Sequence, residues 1–225
     1  MSARARAFVS AGLACTLMAG ALGARAFETA VEAFAPADMA PALSTVAYDR
    51  KGSILRVFAT PDGRRRLPVR LREVDPRFLK SLLAVEDRRY WRHGAVDWGS
   101  VARAAWQWTS RRRIVSGAST ISMQYARLLA TYDAKPAPAG ALRPDLPRRL
   151  WDKVAQTFGA FAVERALGKK AILRRYLEIA PYGGDLQGVA AASRAWFGKS
   201  PRRLTWGEAA LLVALPQAPE ARRPD

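Results

Sequence analysis

The sequence predicts a mainly α-helical protein with a small β element near its N-terminal end, on three observations. Past residue 73, apolar residues recur at helical spacing in one segment after another, each bounded by a cap residue, a glycine or a proline. Between Ser44 and Val69 the pattern instead alternates around two turn signals. Ahead of both, Ala7 to Ala24 is an uncharged, mostly apolar run preceded by Arg4 and Arg6.

Composition bounds the answer further. A chain of 225 residues, 50% of them hydrophobic, is long enough for one well-packed domain and is not a disordered tail. Lysine and arginine number 37 against 19 acids, so the partner should be anionic: phosphate, phospholipid headgroup or nucleic acid. Composition does not choose among these. Cys15 is the one cysteine, which excludes a disulfide framework and a cysteine metal site, and the single histidine, His93, excludes any metal site that needs two.

In chain order, residues 1–26 form a secretory signal or a membrane anchor with its basic end in the cytoplasm and the remainder exported. Ala24-Arg25-Ala26 resembles a cleavage site, whereas a run of about 18 residues is near the minimum to span a bilayer, and the anchor is favoured. Export argues against nucleic acid as partner. Phe27 to Pro41 reads as a proline-broken linker, and Ser44 to Val69 as a β-hairpin with turns at Asp49 to Gly52 and Pro61-Asp62-Gly63, so that linker and hairpin fill 27–72.

The helical domain spans 73–225. Asp75 caps its first helix and Pro76 pre-sets the first turn, after which Phe78, Leu79, Leu82, Leu83 and Val85 mark an apolar face. Glu86 falls on that stripe where the helix should end. Desolvating a carboxylate is costly unless it is paired, so Glu86 has two readings. It is either a structural ion pair with Arg88, Arg89 or Arg92, or a charged, poorly solvated general base.

Asp97 can cap a helix from Trp98 to about Thr109, in which Trp98, Trp106 and Trp108 run into Arg111-Arg112-Arg113. This reads equally as a membrane-interface surface or as core. Ser116 to Thr120 is a small-residue turn opening a helix from Ile121 to about Ala130, where free amides and the hydroxyls of Ser119 and Thr120 would make an anion site. Tyr132 to Pro147 is a long proline-rich loop, followed by helices over Leu150 to Leu167, Lys169 to Ile179 and Leu186 to Phe197. On the first of these Val154, Phe158 and Phe161 should face inward. Thr205 and Glu208 form a capping box for a last helix running to Leu215.

The order of motifs resembles glycosyltransferase family 51, the peptidoglycan glycosyltransferases. Glu86-Asp87-Arg88-Arg89-Tyr90-Trp91-Arg92-His93 is similar to the family's first motif and Gly117 to Gln124 to its second. Lys153 to Gln156 sits at the third, Ile172 to Leu177 with Pro181 to Gly184 at the fourth, and Gly188 to Lys199 at the fifth. Met123-Gln124, Ala180 to Gly184 and Leu215-Pro216-Gln217-Ala218-Pro219 are most similar to one type of class A penicillin-binding protein.

The resemblance implies a lysozyme-like, two-lobed domain on the outer face of the cytoplasmic membrane. It would polymerise lipid II onto a growing glycan, with inversion and release of undecaprenyl diphosphate. Carried over by position, Glu86 would be the general base. Asp87 and Arg88 would lie on the substrate side, Asp87 orienting the neighbouring arginines. Ser119, Thr120, Gln124 and Arg127 would hold the donor, while Arg148 and Lys153 would neutralise the diphosphate, where Mg or Mn is the one cofactor to consider. A separate transpeptidase would be a fitting partner.

Departures from the pattern keep a second reading open. Gln156, counted with the substrate-binding residues, stands where the third motif usually has a glutamate, and an amide cannot take a proton. Asp152, Ala118 and Glu178 also differ from the motif residues. The chain ends at Asp225 without S-x-x-K or K-T-G, so it would be a glycosyltransferase alone or a truncated product. The alternative is a catalytically weak relative that binds lipid II as a scaffold. His93 is expected to pack the loop after the first motif, and Glu164 and Glu208 to serve helix pairing and capping.

Overall fold

A computed structural model describes residues 20–111, 119–132 and 148–222. The chain is mainly helical, as expected. A helix over 20–33, α1, is followed by β1 (Val46–Tyr48), β2 (Ile54–Val57) and β3 (Arg65–Arg66). Then come α2 (Pro76–Glu86), α3 (Trp98–Arg111), α4 (Ile121–Tyr132), α5 (Arg148–Ala166), α6 (Lys169–Ile179), β4 (Leu186–Gln187), α7 (Val189–Phe197) and α8 (Trp206–Ala214). Most of the N-terminal apolar run and nearly all of the proline-rich loop lie outside the described residues. Among those described, no helix is long and apolar enough to cross a membrane.

The buried centre is α4, where seven of the side chains are withdrawn from solvent and both α5 and α6 pack against the helix. Helix α2 packs on α8, and its start behaves as its sequence implies: Asp75 accepts from the Arg77 amide at 2.9 Å, with Pro76 at the first position. Phe78 and Leu82 are buried. Val85, expected on the same stripe, is 60% exposed, because it sits about 100° round the helix from Glu86, the residue that continues the Phe78 and Leu82 row. Thr205 and Glu208 make the expected capping box.

Three expectations are corrected. Residues 27–33, read as linker, are helical: Phe27 packs on Phe158 and Phe161 with ring centroids 5.8 and 5.0 Å away, and Phe34 stacks on Phe158 at 5.9 Å. Phe158 and Phe161 are therefore half-buried beneath α1, whereas Ala160 and Val163 are the fully buried side chains of α5. Leu186 and Gln187, read as helix, pair as a parallel strand with Arg65 and Arg66. The helix cannot begin before Gly188, which has φ +83° and lies so close to the Glu178 carbonyl that a Cβ would stand 2.4 Å from its oxygen.

The hairpin forms as read, β1 against β2 with a bulge. Asp49 Oδ1 accepts from the amides of Lys51 and Ser53, both at 2.8 Å, and Gly52 takes φ 81°. Trp98 and Trp106 on α3 are 68% and 63% exposed, so the core reading fails for both, and Trp91 lies 53% exposed. The side chains of Trp108 and Arg111 to Arg113 lie outside the described residues.

Candidate active site

Glu86 is the last residue of α2, half-buried, and the chain leaves the helix at Asp87. Each carboxylate oxygen accepts one amide. Gln124 Nε2 donates to Oε2 at 2.8 Å, and Gln217 Nε2 to Oε1 at 2.9 Å. Both glutamines are oriented from behind: Tyr176 OH donates to Gln124 Oε1 at 3.0 Å and Arg222 Nη1 to Gln217 Oε1 at 3.0 Å. Burial, and then the charge of Glu86, push the Tyr176 phenol well above its ordinary range, which keeps it a donor.

Of the two readings of Glu86, the ion pair with a neighbouring arginine does not form among the described residues. Arg89 instead forks onto Asp97, Nε meeting Oδ2 at 3.1 Å and Nη2 meeting Oδ1. Ser100 adds its amide and hydroxyl to the same carboxylate at 3.0 and 2.7 Å. Burial would raise the Asp97 value, but these donors hold it well below the usual carboxylate range. Arg88 and Arg92 are exposed and line a cleft of about 1060 Å³ that also reaches Glu86.

Asp87 does not orient the neighbouring arginines. Buried, it accepts from the Ile121 amide at 3.0 Å and lies 2.6 Å from His93 Nε2, so its charge sits at the start of α4. The other His93 nitrogen meets the Gly94 carbonyl at 2.7 Å, which gives the histidine the packing role expected of it. Thr120 is tied into the fold as well. It is buried, and its hydroxyl donates to the Ala95 carbonyl at 2.7 Å and accepts from the Met123 amide at 3.2 Å, while the residue borders the arginine-lined cleft. The anion expected at this helix start is thus supplied by the protein itself, as Asp87.

Ser119 differs: its hydroxyl accepts from Lys153 Nζ. Glu86, Ser119, Gln124, Arg127, Lys153 and Gln156 all line one pocket of about 610 Å³, closed on one side by Pro216 and Gln217. Although the Lys153 side chain is exposed overall, atoms packed round its ammonium, and then Arg127, push it below the ordinary lysine value. Val85, Glu86 and Ser119 border both this pocket and the arginine-lined cleft, so Glu86 stands at their junction. Arg148 begins α5, and its side chain lies outside the described residues.

A metal fits poorly. Among the described residues, Asp87, His93 and Asp97 are the group close enough to share an ion. The oxygens of Asp97 are taken by Arg89 and Ser100, and a guanidinium beside it opposes a second cation. Beside Lys153 and Arg127, the acids lining the pocket are Glu86, already bonded by two amides, and exposed Asp152.

Glu178, at the motif-four departure, is a structural residue. Buried, it accepts from the Val69 amide at 3.1 Å and from Arg174 at 2.8 Å. Gln217, Tyr176 and Arg222 were not among the candidate residues. Gln217 lies within the Leu215 to Pro219 stretch that carries part of the resemblance, and that was its only signal.

A helical domain with one amide-clamped carboxylate between two cation-lined hollows defines a class, and the chain belongs to the transglycosylase family, which residues 51–225 match. Over 185 residues it is 45% identical to penicillin-binding protein 1C of Escherichia coli, covering 82% of this chain and 22% of that protein. It is similar also to penicillin-binding protein 2D of Bacillus subtilis, 33% identical over 97% of this chain and 29% of the relative. A third relative is penicillin-binding protein 1A of Aquifex aeolicus, 33% identical over 82% of this chain and 23% of the relative. The chain thus spans less than a third of the length of each.

Proposed function

We propose that the chain is a peptidoglycan glycosyltransferase that joins lipid II to a growing glycan through β-1,4 links. One observation carries this: the Glu86 carboxylate, held by two neutral amides and, among the described residues, by no cation, stands where a pocket lined by Arg127 and Lys153 meets an arginine-lined cleft. The acceptor's 4-hydroxyl loses its proton to Glu86 as its oxygen attacks the donor's anomeric carbon. The bond from that carbon to the diphosphate breaks on the opposite face, so the centre inverts and undecaprenyl diphosphate leaves.

The charge that develops on the leaving oxygens is met by Lys153, which donates to Ser119, and by Arg127, both of which line the pocket. A diphosphate so neutralised needs no acid to protonate it. A single carboxylate therefore suffices, and Gln156 serves by hydrogen bonding where a glutamate would add a second. By its motif position alone, Arg148 is assigned to the same diphosphate. Ser119 and Gln124 act through Lys153 and Glu86.

The fold is read as lysozyme-like and two-lobed, the N-terminal segment as a membrane anchor, and the domain as periplasmic on the cytoplasmic membrane. Exposed Trp91, Trp98 and Trp106, near Arg88, Arg92 and Arg103, support a surface that meets lipid headgroups. A transpeptidase supplied separately would cross-link the product.

The test is polymerisation of labelled lipid II by the detergent-solubilised chain, beside Glu86→Gln and with moenomycin added. Polymer that vanishes with the substitution and with the inhibitor is the expected result, a general base contributing on the order of a hundredfold to ten-thousandfold. No polymer from a folded chain that still binds lipid II would leave the scaffold reading in its place.

A further inference from the structure

Away from Glu86, a groove of about 700 Å³ runs between β2 and the C-terminal end of α7. It shares no residue with the two hollows around the carboxylate. Arg56, Arg65, Arg194 and Lys199 line it, and among the described residues no acid does. Arg65 is paired with Asp185 at 3.1 Å and Lys199 with Glu208 at 2.8 Å. Arg56 lies over the Phe58 ring at 5.0 Å, and Arg194 reaches the Ala190 carbonyl of its own helix at 3.3 Å. Neither has a carboxylate partner among the described residues.

The facing wall is the edge of a strand. Among the described residues the hairpin sheet has two strands, so β2 has a ladder partner only on the β1 side. All of residues 52–57 line the groove, as a strand does when it presents an edge rather than one face. The register pairs Ala47 with Arg56 and Tyr48 with Ile54, which leaves Leu55 opposite nothing and 68% exposed. An open edge beside an exposed leucine is a template for another chain.

We infer that this groove takes an extended segment of a partner protein, acidic at alternate positions, added as a third strand on β2. Alternate side chains of a strand point to opposite sides, so the carboxylates would meet Arg56 and Arg194 while the residues between them rest on Leu55. Backbone bonds would supply affinity and the two arginines selectivity. The inference is independent of the chemistry at Glu86.

The test uses the full chain in detergent and a fluorescein-labelled ten-residue peptide of alternating Glu and Val, read by anisotropy. Comparison peptides replace Glu with Lys, or carry methyl groups on alternate peptide nitrogens. The Glu peptide should bind, and both methylation and the double variant Arg56→Glu/Arg194→Glu should weaken it roughly tenfold or more, with the variant gaining the Lys peptide. Arg72→Glu/Lys80→Glu changes the net charge equally at exposed sites elsewhere and should alter binding less than about threefold. Thermal melts matching the parent establish that each variant is folded.

Equal binding by the groove variant, an equal loss in the control variant, or unimpaired binding of the methylated peptide would overturn the inference. Phosphatidylglycerol vesicles complete the comparison. Release of vesicles by the groove variant, with peptide binding intact, would make the groove a lipid surface and end the proposal.

Discussion

Gln217 donates to Glu86 across 131 residues of chain, Nε2 to Oε1 at 2.9 Å. Arg222 holds the other end of the same amide and also donates to the Ala214 carbonyl at 2.8 Å, so Gln217 can present only its N–H groups to the carboxylate. A neutral donor steadies the charge of Glu86 without competing for the proton that a base must take. Gln217→Leu removes a hydrogen bond to a charged group, worth about 1.5–3 kcal/mol, and kcat should fall roughly tenfold or more with KM little changed. Gln217→Glu should be worse, since it sets two carboxylates face to face. Initial polymerisation rates against lipid II concentration check both, and a parental kcat in Gln217→Leu would refute the role.

Lys153 and Arg127 hold like charges in one pocket, an arrangement that an anion relieves. Lys153→Met and Arg127→Met should each weaken inorganic pyrophosphate about tenfold, and binding to the parent should weaken as salt rises. Because the Lys153 ammonium is pushed down, it loses its charge at lower pH than an ordinary lysine. Pyrophosphate binding should accordingly fade earlier on the alkaline side than in Lys153→Arg, by calorimetry across pH 7 to 10.

Asp75 ties α2 to the segment before α8. Its carboxylate accepts from Arg77 and, at 3.0 Å, from the Leu204 amide. These donors, Arg77 foremost and against the effect of burial, bring its value from 3.8 down to about 2. The lowered value makes the ionised form the one that folding favours. Its contribution is complete above the unfolded value near 4 and is lost as pH falls from about 4 through about 2. With Arg77 partly in solvent, the amount is on the order of 1–2 kcal/mol. Urea midpoints from pH 5 to pH 2 should fall more steeply for the parent than for Asp75→Asn.

Gly188→Ala should destabilise by about 2–4 kcal/mol, because the new Cβ would meet backbone rather than a side chain that can move. A thermal melt reads this directly. A parental melting temperature would mean that the approach of Glu178 to Gly188 is looser than described.

Much of the frame was legible in the residues. Asp75, Pro76, Thr205 and Glu208 mark helix starts by interactions with their own neighbours, so their readings carried over. The strand at Leu186 was not legible, because its partner Arg65 is distant in sequence. Nor was the helix over 27–33, whose Phe27 needed Phe158 and Phe161 of α5 to pack on.

The same division runs through the site. Sequence alone determined that Glu86 is anomalous, since helical periodicity places a carboxylate on a buried row and needs no other part of the chain. Tertiary structure decided what surrounds it. The arginines beside Glu86 in sequence do not pair with it, and Arg89 turns to Asp97. The amides that clamp Glu86 come from 38 and 131 residues away. Asp87 and Thr120, read as substrate residues, also bond to Ile121, His93, Ala95 and Met123. A side chain of α2 bonds to whatever the docking of α4 and α8 brings within about 3 Å of it, and that docking is set by the shape of the whole core rather than by adjacent residues.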